Sequence, residues 1–309
     1  MTVADHRGGR ALTGAEVNAI AGNLFPAAHS VLRLADFPWH RDGTGVATAS
    51  LPQSSQALAL DLFVTVKGLS SSRAIVDAWS DLLGCQEQDD ITITPEYEIP
   101  RRVLGEPRPT QVDVLLEGQS SVTLLECKFT EPDGGSCSQT QKRSNRRLPA
   151  SPPVAQCNGR YEEQVNPLTG RTARCALTAK GVRYWEFIPK VLNVRADVDY
   201  TPECPFAGGS YQWMRNLVGA YALGMESGRA RAFAIVYADG PFPMATKLES
   251  KEWAAFVAQL TGTVPLRTAS YQALVRRAGE AASAADRTVL QALEQWIGRK
   301  VVAASAPSV

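Results

Sequence analysis

Apolar and polar positions alternate along this chain in blocks that change period several times. Residues 54–63 read Ser-Ser-Gln-Ala-Leu-Ala-Leu-Asp-Leu-Phe, a serine pair ahead of apolar positions that include Leu58 and Leu62, and this predicts a capped helix. A second helical stretch is expected over about 72–83. From Ile91 to Val103 the β-favouring residues Ile91, Ile93, Tyr97 and Ile99 alternate, predicting a strand with an irregular region at Pro95. Residues 111–117 and 122–129 are two apolar, β-rich runs separated by Gly118, Gln119, Ser120 and Ser121. So short a polar link makes them an antiparallel hairpin. Helical spacing returns over 211–225, and Ala232 to Tyr237 is a continuous apolar run, expected as a strand buried on both faces. Residues 248–302 read as three helices broken near 261–265 and around 279–285.

Residues 131–209 break this regularity. They are rich in Gly, Pro, Ser, Arg and Cys and read as an insertion with a short helix near 159–164. The ends, 1–14 and 303–309, are expected to fray. The order helix, strand, hairpin, helix, strand, helices specifies an α/β core with a mixed sheet. Three regions follow: an N-terminal extension over 1–53, a core over 54–240 carrying the insertion, and a C-terminal helical region over 241–309.

Composition narrows the class. With 309 residues, 44% hydrophobic and 20% charged, the chain can bury a real core, which argues against disorder throughout. No run reaches the length of apolar chain that spans a bilayer, and residues 1–10 lack the pattern of a secretory signal, so a cytoplasmic protein with no membrane partner is expected. The net charge of +1 is uninformative about partners. Its distribution is not, because residues 141–183 hold nine basic and two acidic side chains, about +7 locally. Such a segment is either a polyanion-facing element or a solvated basic loop. Six cysteines, at 85, 127, 137, 157, 175 and 204, read in a cytosolic protein as metal ligands or buried thiols rather than disulfides.

The chemistry concentrates on the hairpin. Side chains alternate along a strand, so Glu126 and Lys128 share one face and Cys127 takes the other. Asp113 sits on the partner strand, where pairing can bring its carboxylate beside that of Glu126. Two carboxylates held together repel, and a hard divalent cation makes such a pair tolerable. Mg²⁺ or Mn²⁺ needs only one or two protein carboxylates plus water and phosphate oxygens, and the Cys127 carbonyl is a candidate further ligand. A neighbouring lysine can position or help deprotonate an attacking water and stabilise charge growing on phosphorus. The histidines, His6, His29 and His40, are too scattered for a His-based nucleophile or zinc protease site, and no phosphate-cradling glycine loop is present.

Val112-Asp113, twelve intervening residues, then Glu126-Cys127-Lys128 at the end of a hydrophobic strand resembles the PD-(D/E)XK nuclease superfamily. Ser-Ser-Gln-Ala-Leu, Glu-Cys-Lys-Phe-Thr-Glu, and Cys-Pro-Phe followed by Tyr-Gln-Trp-Met-Arg-Asn-Leu resemble, more narrowly, a bacterial restriction-endonuclease-like group. The resemblance implies a core of helix, three strands, helix, strand, with Asp113 and Glu126 as metal ligands and Lys128 as the catalytic lysine. Gln56 takes the first-helix place where many members carry a metal-binding Glu, with Asp61 the alternative. Val112 stands where the superfamily name has proline, and the cysteine-bearing insertion lies outside the minimal core.

Gln212, Arg215 and Asn216 share helical spacing on the second core helix, which borders the active site in such nucleases, and are candidate substrate contacts or a plain polar stripe. Trp185 and Trp213 are candidates for base stacking or core packing. Cys137, Cys157, Cys175 and Cys204 fall in the insertion or its borders, without Cys-x-x-Cys spacing. They are either a metal knot, holding Zn²⁺ or, as in some members of the superfamily, a [4Fe–4S] cluster, or four ordinary thiols. The function expected is metal-dependent hydrolysis of DNA, RNA remaining open as a substrate. The alternative is a non-catalytic nucleic-acid-binding protein with a cysteine-bound structural metal, or a scaffold that keeps the fold without its activity.

Overall fold

The computed structural model describes residues 11–86, 90–142, 155–165, 170–194, 204 and 206–306. The expected fraying of residues 1–10 and the basic residues Arg143, Arg146 and Arg147 lie outside them.

Helices α1 (Gly14–Gly22) and α2 (Pro26–Val31) lead through two short 3₁₀ turns to α3 (Ser55–Gly68), α4 (Ser72–Ala78) and α5 (Ser80–Leu83). Strand β1 (Thr92–Glu98) is followed by α6 (Arg101–Leu104), β2 (Gln111–Glu117) and β3 (Ser121–Lys128). The insertion contributes β4 (Gln164–Val165), β5 (Thr172–Ala173), α7 (Ala176–Ala179) and α8 (Tyr184–Val191). Then come α9 (Tyr211–Ser227), β6 (Ala230–Tyr237), α10 (Pro243–Leu248), α11 (Lys251–Ala258), β7 (Leu266–Ser270), α12 (Tyr271–Ala281) and α13 (Ala284–Ser305).

Five strands form one sheet in the order β1-β2-β3-β6-β7. The hairpin β2–β3 is antiparallel, as is β1–β2, whereas β3–β6 and β6–β7 are parallel, so the sheet is mixed. Strand β3 is buried along its whole length, since both faces are covered. On one face α3, α12, α13 and the N-terminal helices pack against Val114, Leu125, Cys127 and Val236. On the other, α8, α9 and α11 pack against Leu115, Leu124, Phe233 and Ile235. Residues drawn from the sequence as flanks share the first core with the middle of the chain: Ile20, Leu24 and Phe25 from one end, Leu290, Leu293 and Ile297 from the other.

Ser54 caps α3 as expected, its Oγ accepting from Ala57 N at 3.2 Å, but the helix continues past Phe63 to Gly68. It is buried from Gln56 through Val66, an all-round burial that follows from its nearly unbroken apolar sequence. An ion pair ties it to the last helix: Lys300 Nζ stands 2.7 Å from Asp61 Oδ2, Trp296 Nε1 donates to the same oxygen at 2.9 Å, and Phe25 N donates to Oδ1 at 2.6 Å.

Several expectations need correction. β1 stops at Glu98 rather than Val103, because Pro100 opens a helical turn, α6. No helix forms over 159–164; the chain there leads into the β4–β5 ribbon, and the insertion's helices come later. The helix expected over 72–83 breaks at Trp79 into α4 and α5. Residues 266–270, expected within the helix that follows the break near 261–265, form strand β7 instead; Leu-Arg-Thr-Ala-Ser carries too few apolar residues to mark a strand at the sheet edge. Helix α13 runs on to Ser305, past the expected fraying at Ala303. Among the described residues no helix is long and apolar enough to cross a membrane.

Candidate active site

The strand registers put three carboxylates on one rung. Asp113 lies one step beyond the Val114↔Leu125 pair, level with Glu126 on β3. Across the other edge, the pairs Pro95↔Val114 and Tyr97↔Val112 leave Glu96 of β1 level with Asp113. Directly opposed residues of antiparallel strands have Cβ atoms about 4.5–5.5 Å apart, and like charges there are destabilising. Glu96, Glu126 and Lys128 are all buried. A buried row of acids is an arrangement that folding alone does not favour.

The surroundings divide the charge unequally. Lys128 Nζ donates to Glu126 Oε1 at 2.9 Å, and Asn216 Nδ2 donates to Glu126 Oε2 at 2.6 Å. Burial pushes the Glu126 carboxyl up, but the charges of Lys128 and Arg215 and these hydrogen bonds outweigh it and hold Glu126 below the usual carboxylate range. Asp113 receives one hydrogen bond, from Cys127 N to Oδ2 at 2.6 Å. Burial, then the charges of Glu126 and Glu96, hold its proton affinity well above the ordinary value. Burial disfavours the charged form of Lys128, yet Glu126 and Asp113 more than compensate and its ammonium is strengthened. The surroundings thus bias Glu126 towards the carboxylate, Asp113 towards the carboxylic acid and Lys128 towards the ammonium.

Helix α9 completes the wall. Gln212 Oε1 accepts from Lys128 Nζ at 2.8 Å, so Lys128 is held from two sides. The start of α9 is moored to the loop after β3: Gln212 N donates to Gly134 O and Gly134 N to Gly209 O, each at 2.8 Å. Gly134 is required there, because a Cβ would come within 2.8 Å of the buried Trp213 ring. Arg215 lines the cleft with His40, Glu106, Arg108, Asp113, Glu126 and Gln212, and its Nε has no hydrogen-bond partner. The Oδ1 of the fully buried Asn216 is also without one. The structure thus brings together Asp113, Glu126, Lys128, Gln212, Arg215 and Asn216.

Gln56 is placed differently from its expected role. Its Nε2 donates to Glu96 Oε1 at 2.7 Å and to Pro38 O at 3.3 Å, and its Oε1 accepts from His40 N at 2.9 Å. It meets the acids through Glu96, not directly. Asp61, the alternative, is engaged with Lys300 and Trp296 away from the cleft. Sequence reasoning missed Glu96, an acid in an irregular strand whose importance emerges only when the register sets it opposite Asp113. Trp213 has no free stacking face, meeting Trp253 edge-on at 5.1 Å inside the core, whereas the half-buried Trp185 packs on Tyr161 and Phe206.

Alternation sends the Cys127 side chain to the opposite core, where burial raises its thiol well above the ordinary value. Cys85 is likewise a buried thiol. Cys137, Cys157, Cys175 and Cys204 are partly buried and unpaired by disulfides. Their segments are stitched together, Cys157 N donating to Gln139 O at 2.9 Å and Cys204 N to Gly159 O at 2.7 Å. Burial, with a smaller contribution from the other three thiols, pushes Cys204 to about 11. Among the described residues no three His, Cys, Asp or Glu side chains form a group that could hold a metal ion.

No curated protein matches the chain, and no solved structure does. The family described as restriction endonuclease associating with ARP matches residues 15–295, a span that contains the whole sheet and every residue of the cleft. The chain belongs to this restriction-endonuclease family.

Proposed function

We propose that the protein is a divalent-metal-dependent nuclease of the PD-(D/E)XK type that hydrolyses phosphodiester bonds in DNA. One observation carries this reading: Asp113 and Glu126 share a buried rung beside Lys128, with opposed proton affinities that a divalent cation would reconcile. The residues fit such an ion. Two carboxylates satisfy Mg²⁺ or Mn²⁺, which keep several waters, and Asn216, bonded to Glu126 through its Nδ2, has a buried Oδ1 that lacks a donor. The Cys127 carbonyl is a candidate further ligand. When bound, the cation would neutralise the acids and supply an activated water.

The protein's own groups then have distinct tasks. Lys128 remains an ammonium, so it acts as a fixed cation for charge growing on phosphorus rather than as a base. Gln212 keeps its Nζ in place, and Asn216 orients Glu126. Arg215 offers its guanidinium to a phosphate oxygen, a role its planar fork suits. The test is plasmid nicking with Mg²⁺ or Mn²⁺. Asp113→Ala and Lys128→Ala are each expected to lose cutting by about 10³-fold or more while remaining folded, comparable with removing a key electrostatic group elsewhere. Undiminished metal-dependent cleavage in both would remove the reading.

Cys137, Cys157, Cys175 and Cys204 do not gather into a metal-holding group as they stand, and the second element of the proposal is that their stitched segments close round Zn²⁺ or a [4Fe–4S] cluster, which then organises the insertion. In the rival account, that centre serves a nucleic-acid-binding protein without turnover. Metal analysis and an absorption spectrum of freshly purified protein discriminate: iron with a brown colour favours the cluster, zinc a structural knot, and neither discards both.

A further inference from the structure

Glu96 is the sole non-glycine among the described residues with positive φ, at 53°. Backbone strain of this kind persists only where the surrounding structure holds the residue in place. Its side chain is 3% exposed, and each of its carboxylate oxygens is engaged: Gln56 Nε2 donates to Oε1 at 2.7 Å, and His40 Nε2 lies 3.1 Å from Oε2. Glu96 is therefore turned towards His40 instead of towards an ion shared with Asp113 and Glu126.

His40 is fixed along its backbone as well. Its N donates to Gln56 Oε1 at 2.9 Å, and its carbonyl accepts from Thr48 N at 2.9 Å and Thr48 Oγ1 at 3.2 Å. Yet its side chain is 41% exposed and lines the same cleft as Asp113, Glu126, Gln212 and Arg215. A buried carboxylate that orients an accessible imidazole, beside a place where a phosphodiester would be cut, is an acid–base dyad in form.

We propose that His40 is a further catalytic residue, the proton donor to the leaving oxygen, and that Glu96 is its positioning residue. This rests on the nuclease reading above. In the step, the oxygen of a water already deprotonated to solvent bonds to phosphorus. The bond from phosphorus to the leaving oxygen breaks, its electron pair going to that oxygen. The imidazolium gives its proton to the same oxygen and, now neutral, regains one from solvent. Glu96 takes no part in the transfer and holds the ring turned into the cleft. Gln56 acts one step further out, fixing both partners at once.

The test compares DNA carrying an ordinary scissile linkage with DNA in which sulfur replaces the leaving bridging oxygen, at the 3′ or the 5′ side. A thiolate leaves without needing a proton, so loss of the donor is forgiven there. His40→Asn is expected to cut the oxygen substrate about 10²-fold more slowly or worse and the sulfur substrate at close to the wild-type rate. Glu96→Gln should show a smaller loss with the same selective rescue. It also guards against misfolding in the first variant, because melting of both is compared with wild type. Equal losses on the two substrates would make His40 a binding or structural residue and overturn the proposal, as would an undiminished rate on the oxygen substrate. In both of those outcomes cleavage that depends on Asp113 persists, and the nuclease reading survives. If wild type cuts neither substrate, the nuclease reading itself fails and the proposal falls with it.

Discussion

Asp113 and Glu126 show how far neighbours can separate two like groups. Glu126 accepts from an ammonium and an amide, whereas Asp113 faces two negative charges with one backbone donor. Folding therefore raises the proton affinity of Asp113 above the unfolded value of about 3.9. A group raised in this way contributes stability fully below the unfolded value, and that contribution is lost as pH rises through the folded one. Asp113→Asn removes the loss. In the presence of a chelator at pH 8, the variant is expected to melt a few °C above wild type by scanning calorimetry, the gap closing towards pH 4. Adding Mg²⁺ should raise the melting temperature of wild type and leave the variant nearly unchanged. A wild type that is the more stable in chelator at pH 8 would contradict a raised proton affinity at Asp113.

At the scale of elements, the cleft depends on helices that hold the sheet from behind. Helix α3 carries Gln56 at its start and Asp61 one and a half turns later, so one helix supports the Glu96–His40 contact and anchors α13. The Asp61–Lys300 pair is buried, with side chains 0% and 6% exposed. Removing one partner strands a charge in the core, whereas replacing both by apolar residues does not. Lys300→Met alone is expected to cost about 3–5 kcal/mol in urea unfolding. Asp61→Leu with Lys300→Met should be close to neutral or recover most of that loss. A double variant as unstable as the single one would mean that the pair's hydrogen bonds, not its charge, hold α13 in place.

Over the whole molecule, the cleft combines residues from the N-terminal region, both strands of the hairpin and α9, with Glu106 and Arg108 from the α6–β2 loop at its rim. The described part of the basic segment supplies cations such as Arg160, Arg171 and Lys180 nearby in sequence but not in the cleft lining. Phosphate contacts release counterions, so the logarithm of DNA affinity should fall linearly with the logarithm of salt. Arg215→Ala is expected to flatten that slope by about one without altering the melting temperature greatly. An unchanged slope would place Arg215 outside the phosphate path.

Legible along the chain were the hairpin, the starts of α3, α4 and α9 and the division of faces. Period-two alternation put Glu126 and Lys128 together with Cys127 behind them, and capping chemistry marked α3. Those signals are local, because a strand's alternation and a helix's cap each involve residues a few positions apart. Folding alone brings Glu96 level with Asp113 and against His40, fifty-six residues away, and Gln56, forty away. Strand β7 was hidden for a related reason: as a short edge strand it takes its identity from pairing with β6, not from its own residues. Which strand pairs with which at long sequence separation, and what a helix touches across a sheet edge, depend on tertiary packing that a strand's own residues do not specify.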